Sequence, residues 1–222
     1  MAKYRRLSHR FVWPSESWNV SGANYTPDLS FENSAPFTPV CGVDEAGRGP
    51  WAGPVVAGAA ILDIDTMPTG LNDSKKLSHA KREVLFEALQ SQITGVGIAS
   101  VEEIDHLNIL NATYLAMRRA VAALRVAPAF ALIDGNKIPP DLGCPAEAVV
   151  KGDGRSLSIA AASIMAKVTR DRIMFDLAQQ FPGYGWETNA GYGVKAHAEA
   201  LTRLGVTPHH RRSFKPIHKM LC

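Results

Sequence analysis

Pro39-Val40-Cys41-Gly42-Val43-Asp44-Glu45-Ala46-Gly47-Arg48-Gly49-Pro50 is the stretch whose reading decides the fold. Residues 39–44 form a short apolar strand, and a glycine-rich turn follows at once. Residues 55–62, rich in Val, Ala and Ile, read as a second strand, buried on both faces. Two acids, Asp44 and Glu45, thus stand where an apolar strand runs into glycines.

Outward from this stretch, strands come first as a meander and then alternate with helices, which predicts an α/β layer fold with a mixed sheet. Pro68 and Gly70 mark a loop, and Ser78 caps a helix with Leu85, Leu89 and Ile93 on one face. Residues 95–100 form a strand. Leu107, Leu110, Tyr114, Met117, Val121 and Leu124 recur at steps of three and four, predicting one helix with a buried stripe that ends at Pro128. Residues 130–133 form a strand that delivers Asp134, and residues 147–151 another that delivers Asp153. A long helix is expected over 156–181, stopped by Pro182-Gly183. Its opening, Ile159-Ala160-Ala161-Ala162-Ser163, is small enough to lie very close to a sheet. A shorter helix covers 195–204. Residues 1–37, with Pro14, Pro27 and Pro36 and little periodicity, read as an extension, possible packing by Phe11, Trp13 and Trp18 aside. The body is then one domain over 38–222.

The 222 residues, 46% apolar and 20% charged, suit one large globular domain or one with an added subdomain. The formal net charge of +3 is uneven. Residues 1–12 hold Lys3, Arg5, Arg6 and Arg10 with no acid, and residues 195–222 hold six basic residues against Glu199 alone. Such an end tracks phosphates or is a solvated tail, and charge alone leaves both open. Cys41, Cys144 and Cys222 lack the spacing of a disulfide framework or a zinc site, so a reducing, cytoplasmic setting is expected. No apolar run approaches the ~18 residues of a membrane span, and no secretory leader is read.

Asp44 and Glu45, Asp134 before Gly135, and Asp153 between Gly152 and Gly154 share one context, the end of an apolar strand. Neighbouring strands lie about 4.8 Å apart, so carboxylates at their ends can converge. Converging like charges call for a cation, and an oxygen-only set suits Mg²⁺ or Mn²⁺. The alternative is that Asp-Gly marks an ordinary turn at each place. The glycines around Arg48 allow close backbone approach to a ligand, or serve as turn positions only. No nucleotide-binding glycine motif and no serine-hydrolase elbow is present. His209-His210 read as surface or packing residues. Lys75, Lys76, Lys81 and Arg82 read as a solvated helix face, with phosphate binding as the second option.

Asp44-Glu45-Ala46-Gly47-Arg48-Gly49-Pro50 resembles the signature of ribonuclease HII, the type 2 ribonuclease H. The resemblance runs on through Leu71-Asn72-Asp73-Ser74-Lys75-Lys76-Leu77, Leu132-Ile133-Asp134-Gly135-Asn136 and Val150-Lys151-Gly152-Asp153. It continues over 158–171, Gly191-Tyr192 and His210-Arg211-Arg212-Ser213-Phe214. It implies an RNase H-like core, a mixed five-stranded sheet flanked by helices, plus a helical C-terminal part. It implies hydrolysis of the RNA strand of RNA–DNA hybrids and a cut 5′ of single ribonucleotides in duplex DNA, as in ribonucleotide excision repair. The products would carry a 3′-hydroxyl and a 5′-phosphate, through two-metal-ion hydrolysis with Mg²⁺ or Mn²⁺. Carried over by position, Asp44, Glu45, Asp134 and Asp153 are the catalytic and metal-holding acids. Gly47, Arg48 and Gly49 contact the 2′-hydroxyl, Tyr192 stacks on the following sugar, and Ser74, Lys75 and Lys76 contact phosphate. Asp171 matches a family position but reads as structural. Ala190 and Val194 depart from the residues that family members often carry there. A monomer with no membrane partner is expected. Two other readings are another metal-dependent nuclease on the same core and a catalytically silent hybrid binder.

Overall fold

The structure is a computed structural model that describes residues 25–222. The basic cluster of residues 1–12 and Phe11, Trp13 and Trp18 lie outside the described residues.

Five strands form one sheet: β1 (Val40–Ala46), β2 (Val55–Ile61), β3 (Ile93–Ala99), β4 (Phe130–Asp134) and β5 (Ala146–Val149). Their order is β3-β2-β1-β4-β5. The meander β1–β2–β3 is antiparallel, while β1–β4 and β4–β5 are parallel, giving the mixed sheet expected from the order of elements. Every residue of β2 is buried, as a continuous Val/Ala/Ile run requires of a strand covered on both faces.

Eight helices complete the described chain: α1 (Ser30–Ser34), α2 (His79–Leu89), α3 (Val101–Leu107), α4 (Ile109–Ala122), α5 (Leu157–Gln180), α6 (Trp186–Asn189), α7 (Lys195–Leu204) and α8 (Lys215–Leu221). On one face, α5 crosses β1 and β2 so closely that a Cβ on Gly42 would fall 2.1 Å from the Ser158 carbonyl carbon. A Cβ on Gly58 would fall 2.2 Å from the Ala162 oxygen. The small residues 159–163 are the other half of this fit, and all are buried. On the opposite face α4 lies equally close to β3 through Gly95 and Gly97.

Three expectations are corrected. The single helix read across 107–124 is two, because Asn108 breaks it at φ 68° and caps α4 through its side-chain oxygen, which accepts from the Leu110 and Asn111 amides. The side chains turned to the sheet are then Ala112, Ala116 and Ala120 together with Met117 and Val121, while Leu107, Leu110 and Tyr114 stay partly exposed. Ile93 opens β3 instead of closing the α2 face, since α2 stops at Leu89. β5 ends at Val149, and Asp153 sits beyond it on a 3₁₀ turn, Gly152–Gly154, entered through Lys151 at φ 55°.

Residues 28–35 are held against the body. Asp28 pairs with Ser156, and Phe31 and Ala35 pack on the cluster around Val40, Phe130 and Ile159. Glu32 Oε1 accepts from the Ser158 amide at 2.8 Å and from the hydroxyls of Ser156 and Ser158 at 2.6 Å, capping α5 from far away in sequence. A carboxylate there also opposes the positive end of a long helix. Glu32→Ala should therefore lower stability by about 1–2 kcal/mol. A thermal melt reads this as a drop of roughly 2–8 °C; an unchanged midpoint would remove the cap from the fold's supports.

The C-terminal helices close a second core around Met174, Leu177, Tyr184, Trp186, Leu201 and Ile217. His210, fully buried, is a packing residue here. Its Nε2–H donates to His197 Nε2 at 3.0 Å, and its Nδ1 accepts from the Thr207 amide at 3.0 Å, so the ring is neutral. Burial, then the neighbouring His197, pushes its pKa down to about 4. The unfolded chain thus binds a proton that the folded one refuses between about pH 6.5 and 4, and stability falls as pH drops through that window. The loss is about 3 kcal/mol at most. Melts at pH 7.5 and 5.0 should show it, and His210→Asn should have a shallower acid-side loss. An identical pH slope in the variant would assign the loss elsewhere.

Candidate active site

The register of β1 against β4 sets the site. Val43 faces Ile133 in the parallel pair, so Asp44 and Asp134, each one residue further on, end up side by side. Asp134 Oδ1 accepts from the Gly152 amide at 2.7 Å, which ties the end of β4 to the turn that carries Asp153. Oxygen atoms of Asp44, Asp134 and Asp153 all lie within 4.8 Å of one another. Asp44 and Asp153 are almost wholly buried.

Glu45 stands beside this trio. Its Oε1 accepts from Arg48 Nη1 at 3.3 Å, and it lines the grooves on both sides of the cluster. Burial, then the charges of Glu45, Asp134 and Asp153, pushes the Asp44 carboxyl well above the usual carboxylate range. Burial, then Asp134, raises Asp153 as well. Burial also raises Glu45, against the opposing pull of Arg48. Lys75 Nζ lies 3.6 Å from Asp153 Oδ2. Burial disfavours its charge, but Asp44, Asp153, Asp73 and Asp134 outweigh that and raise its pKa. One ammonium does not balance so many converging carboxylates. An oxygen-only donor set with an excess of negative charge fits a hard divalent cation.

A groove of about 280 Å³ runs from Asp44 past the Gly47–Gly49 turn to Tyr192. Tyr192 is 46% exposed, and its Cε1 would lie 3.4 Å from a Cβ on Gly49. The Tyr192 carbonyl accepts from His197 Nδ1 at 2.9 Å. On the other flank, a groove of about 340 Å³ passes Asp134, Asn136, Lys137 and Tyr114. Among the residues read as phosphate contacts, Lys75 and Lys76 are exposed on a 3₁₀ turn rather than on a helix face. Ser74 is buried, with its Oγ accepting from Ser163 Oγ at 2.7 Å. Arg82 donates to the Ser74 and Leu77 carbonyls and so holds that turn. Asp171 is paired with Lys167 at 2.7 Å.

Sequence reasoning missed two residues behind the turn, Arg170 and Arg211, which are 1% and 0% exposed. Arg211 donates to the carbonyls of Gly53 (2.9 Å), Arg48 (3.0 Å), Gly47 (2.6 Å) and Pro54 (3.1 Å). Arg170 donates to Pro54 (3.1 Å), Ala190 (3.0 Å) and Ala52 (3.2 Å). Burial lowers their pKa values to about 10 and about 9 for Arg170 and Arg211 respectively. For Arg170 a signal existed: it lies in the run Ala162, Ala166, Arg170, Met174, Ala178 at steps of four, an otherwise apolar face. Arg211 had no spacing or burial pattern, only its place in the motif 210–214, because its partners are carbonyls far away in sequence.

A mixed five-stranded sheet flanked by helices, with a carboxylate cluster where its adjoining parallel strands run out, defines an RNase H-like core, the class of a metal-dependent nuclease. The family model for ribonuclease HII matches residues 41–217. The ribonuclease HII of Ruegeria sp. (strain TM1040) is 63% identical over 206 residues, 91% of this chain and 90% of that one. The chain therefore belongs to the ribonuclease HII family and is a type 2 ribonuclease H. Among solved structures, the ribonuclease H2 of Pyrococcus horikoshii OT3 matches with a TM-score of 0.68 at 30% identity, covering 82% of this chain and 96% of that one. The RNase HII of Archaeoglobus fulgidus, solved in a complex with PCNA, matches with a TM-score of 0.67 at 29% identity, covering 79% and 95%. No helix among the described residues is long and apolar enough to cross a membrane.

Proposed function

We propose that this enzyme also cuts 5′ of a single ribonucleotide embedded in duplex DNA, leaving a 3′-hydroxyl and a 5′-phosphate. One observation carries the reading: a single groove joins Asp44 and Glu45 of the acidic site, a glycine-flanked turn and an exposed tyrosine ring 3.4 Å from a Cβ position on Gly49. A phosphate at the cluster would set its own ribose against Gly47, Arg48 and Gly49, where a 2′-hydroxyl can meet backbone groups. The next sugar would lie on Tyr192, where a deoxyribose fits flat and a second 2′-hydroxyl would crowd the ring. Asp44, Glu45, Asp134 and Asp153 would hold Mg²⁺ or Mn²⁺. When bound there, these ions supply charge neutralisation at the phosphate and an acidified water. Lys75, paired with Asp153, and the exposed Lys76 next to it would meet phosphate oxygens, and Ser74 would fix their turn from beneath.

The enzyme is taken to act as a monomer in the cytoplasm; the free thiols of Cys41, Cys144 and Cys222 favour a reducing compartment. Residues 1–37 are taken as an extension to a catalytic domain over 38–222; in its described part, Asp28 to Ala35 pack beside the start of α5.

The experiment is a single-turnover assay on duplex DNA carrying one ribonucleotide, with Mg²⁺ or Mn²⁺. Incision 5′ of the ribonucleotide is expected, with no incision of the all-DNA duplex. Incision of continuous hybrids alone would overturn the reading.

A further inference from the structure

We infer that Arg211 and Arg170 are positioning residues for 2′-hydroxyl recognition, holding the Gly47–Gly49 turn with its amides aimed into the groove. This rests on the proposed function of that turn. Buried guanidinium groups are expensive unless matched, and the usual match is a carboxylate. Neither arginine has a salt bridge among the described residues. Their partners are instead main-chain carbonyls, those of one loop (Gly47, Arg48, Ala52, Gly53 and Pro54) together with Ala190 beside Tyr192.

The consequence follows from peptide geometry. In a trans peptide the C=O of one residue and the N–H of the next point in opposite directions. Drawing the Gly47 and Arg48 carbonyls inward onto Arg211 turns the amides of Arg48 and Gly49 outward. Neither amide has a hydrogen-bond partner among the described residues. Gly47 itself sits at φ +97° and touches Arg170, whose Nε would lie 2.0 Å from a Cβ there. No other residue type fits between turn and guanidinium.

The same two arginines register the turn against Tyr192. Arg170 holds the Ala190 carbonyl, and the Gly191 carbonyl accepts from the Trp51 amide at 2.8 Å. The Arg211 amide in turn donates to the Trp51 carbonyl at 2.8 Å. The turn and the tyrosine are thus fastened to one buried frame, and the fork of an arginine is what reaches several carbonyls at once. A lysine keeps the charge but offers a single nitrogen.

The test uses Arg211→Lys and Arg170→Lys in the full chain, with folding checked by circular dichroism. Binding is measured on an Asp134→Asn background, to a DNA duplex with one ribonucleotide and to the same duplex in all-DNA form. The preference for the ribonucleotide duplex should fall toward one in the lysine variants, with affinity for the all-DNA duplex unchanged within about twofold. In the active background, single-turnover incision should fall about thirty- to a hundredfold, as misplacement by about an ångström would give. A folded Arg211→Lys enzyme that keeps the wild-type preference overturns the positioning role and leaves the proposed function standing. A chain with native arginines that shows no preference overturns this inference, while the incision assay decides the proposed function separately. Should neither lysine variant fold, amide resonances of Arg48 and Gly49 in the unaltered chain decide. They must shift more with the ribonucleotide duplex than with the all-DNA one, and equal shifts overturn the inference.

Discussion

An Asp44→Asn enzyme is expected to melt higher than the wild type in the absence of divalent ions and to cut nothing. Asp44 is buried, and burial together with Glu45, Asp134 and Asp153 raises its pKa well above the ordinary value. For an acid the sign is direct. The unfolded chain ionises freely near pH 4, while the folded chain resists, so ionisation costs stability at every pH above that. A neutral amide of the same shape removes that cost and should raise the melting temperature by a few degrees at this chain length. Adding Mg²⁺ or Mn²⁺ should reverse the order. An ion that binds only the folded state raises its stability by about 2.7 kcal/mol at a hundred times its dissociation constant, and the variant, holding the ion poorly, gains little. Hybrid cleavage should fall about a thousandfold or more, since charge stabilisation at the reacting phosphate is lost with the ion. Melts with and without the ion, beside one cleavage assay, check all of this. Wild-type cleavage by the variant would remove Asp44 from the chemistry, and a lower melting point without ions would mean that the carboxylate is a structural support.

Tyr192→Ala carries the second large effect. The ring is 46% exposed, and what anchors the segment is its backbone carbonyl on His197, so the truncation leaves the fold intact. On the proposed reading it removes the surface on which the first deoxyribose rests. Incision at a lone ribonucleotide should fall on the order of a hundredfold in the chemical step. Cleavage of a continuous RNA strand should fall less, so that discrimination between the two substrates shrinks. Single-turnover kinetics on both substrates decide it, and equal cutting of lone ribonucleotides by the two enzymes would end the role assigned to Tyr192.

The acids were legible because chemistry and topology coincide at them. A short apolar run bounded by turn signals reads as a strand, and the acids follow it, although β1 itself runs on past Asp44 and Glu45 to Ala46, paired with β2. Their meeting was not legible, since convergence depends on β4 pairing parallel with β1 in the register that sets Val43 opposite Ile133. Asp153 shows the limit: its strand stops at Val149, and a 3₁₀ turn with a left-handed entry brings the carboxylate back to the cluster. Asn108 shows another, because the stripe of large residues kept helical spacing across a break that only a capping side chain reveals. Residues 28–35 read as extension because a short helix with few apolar residues gives no periodic signal, while its support comes from Ser156 and Ser158.

By itself, then, the sequence determined the layers and the residue types at their edges: which segments are strands, how closely small residues 159–163 let a helix approach, and that carboxylates follow the apolar strands. Those are properties of runs and of residue types, and neighbours along the chain settle them. The tertiary structure alone decided which carboxylates meet, that Glu45 stands aside toward Arg48, and that Arg170 and Arg211 lie under the Gly47–Gly49 turn. Each of those depends on atoms distant in sequence. A buried guanidinium satisfied by main-chain carbonyls leaves no pattern in residue types, because every residue carries a carbonyl.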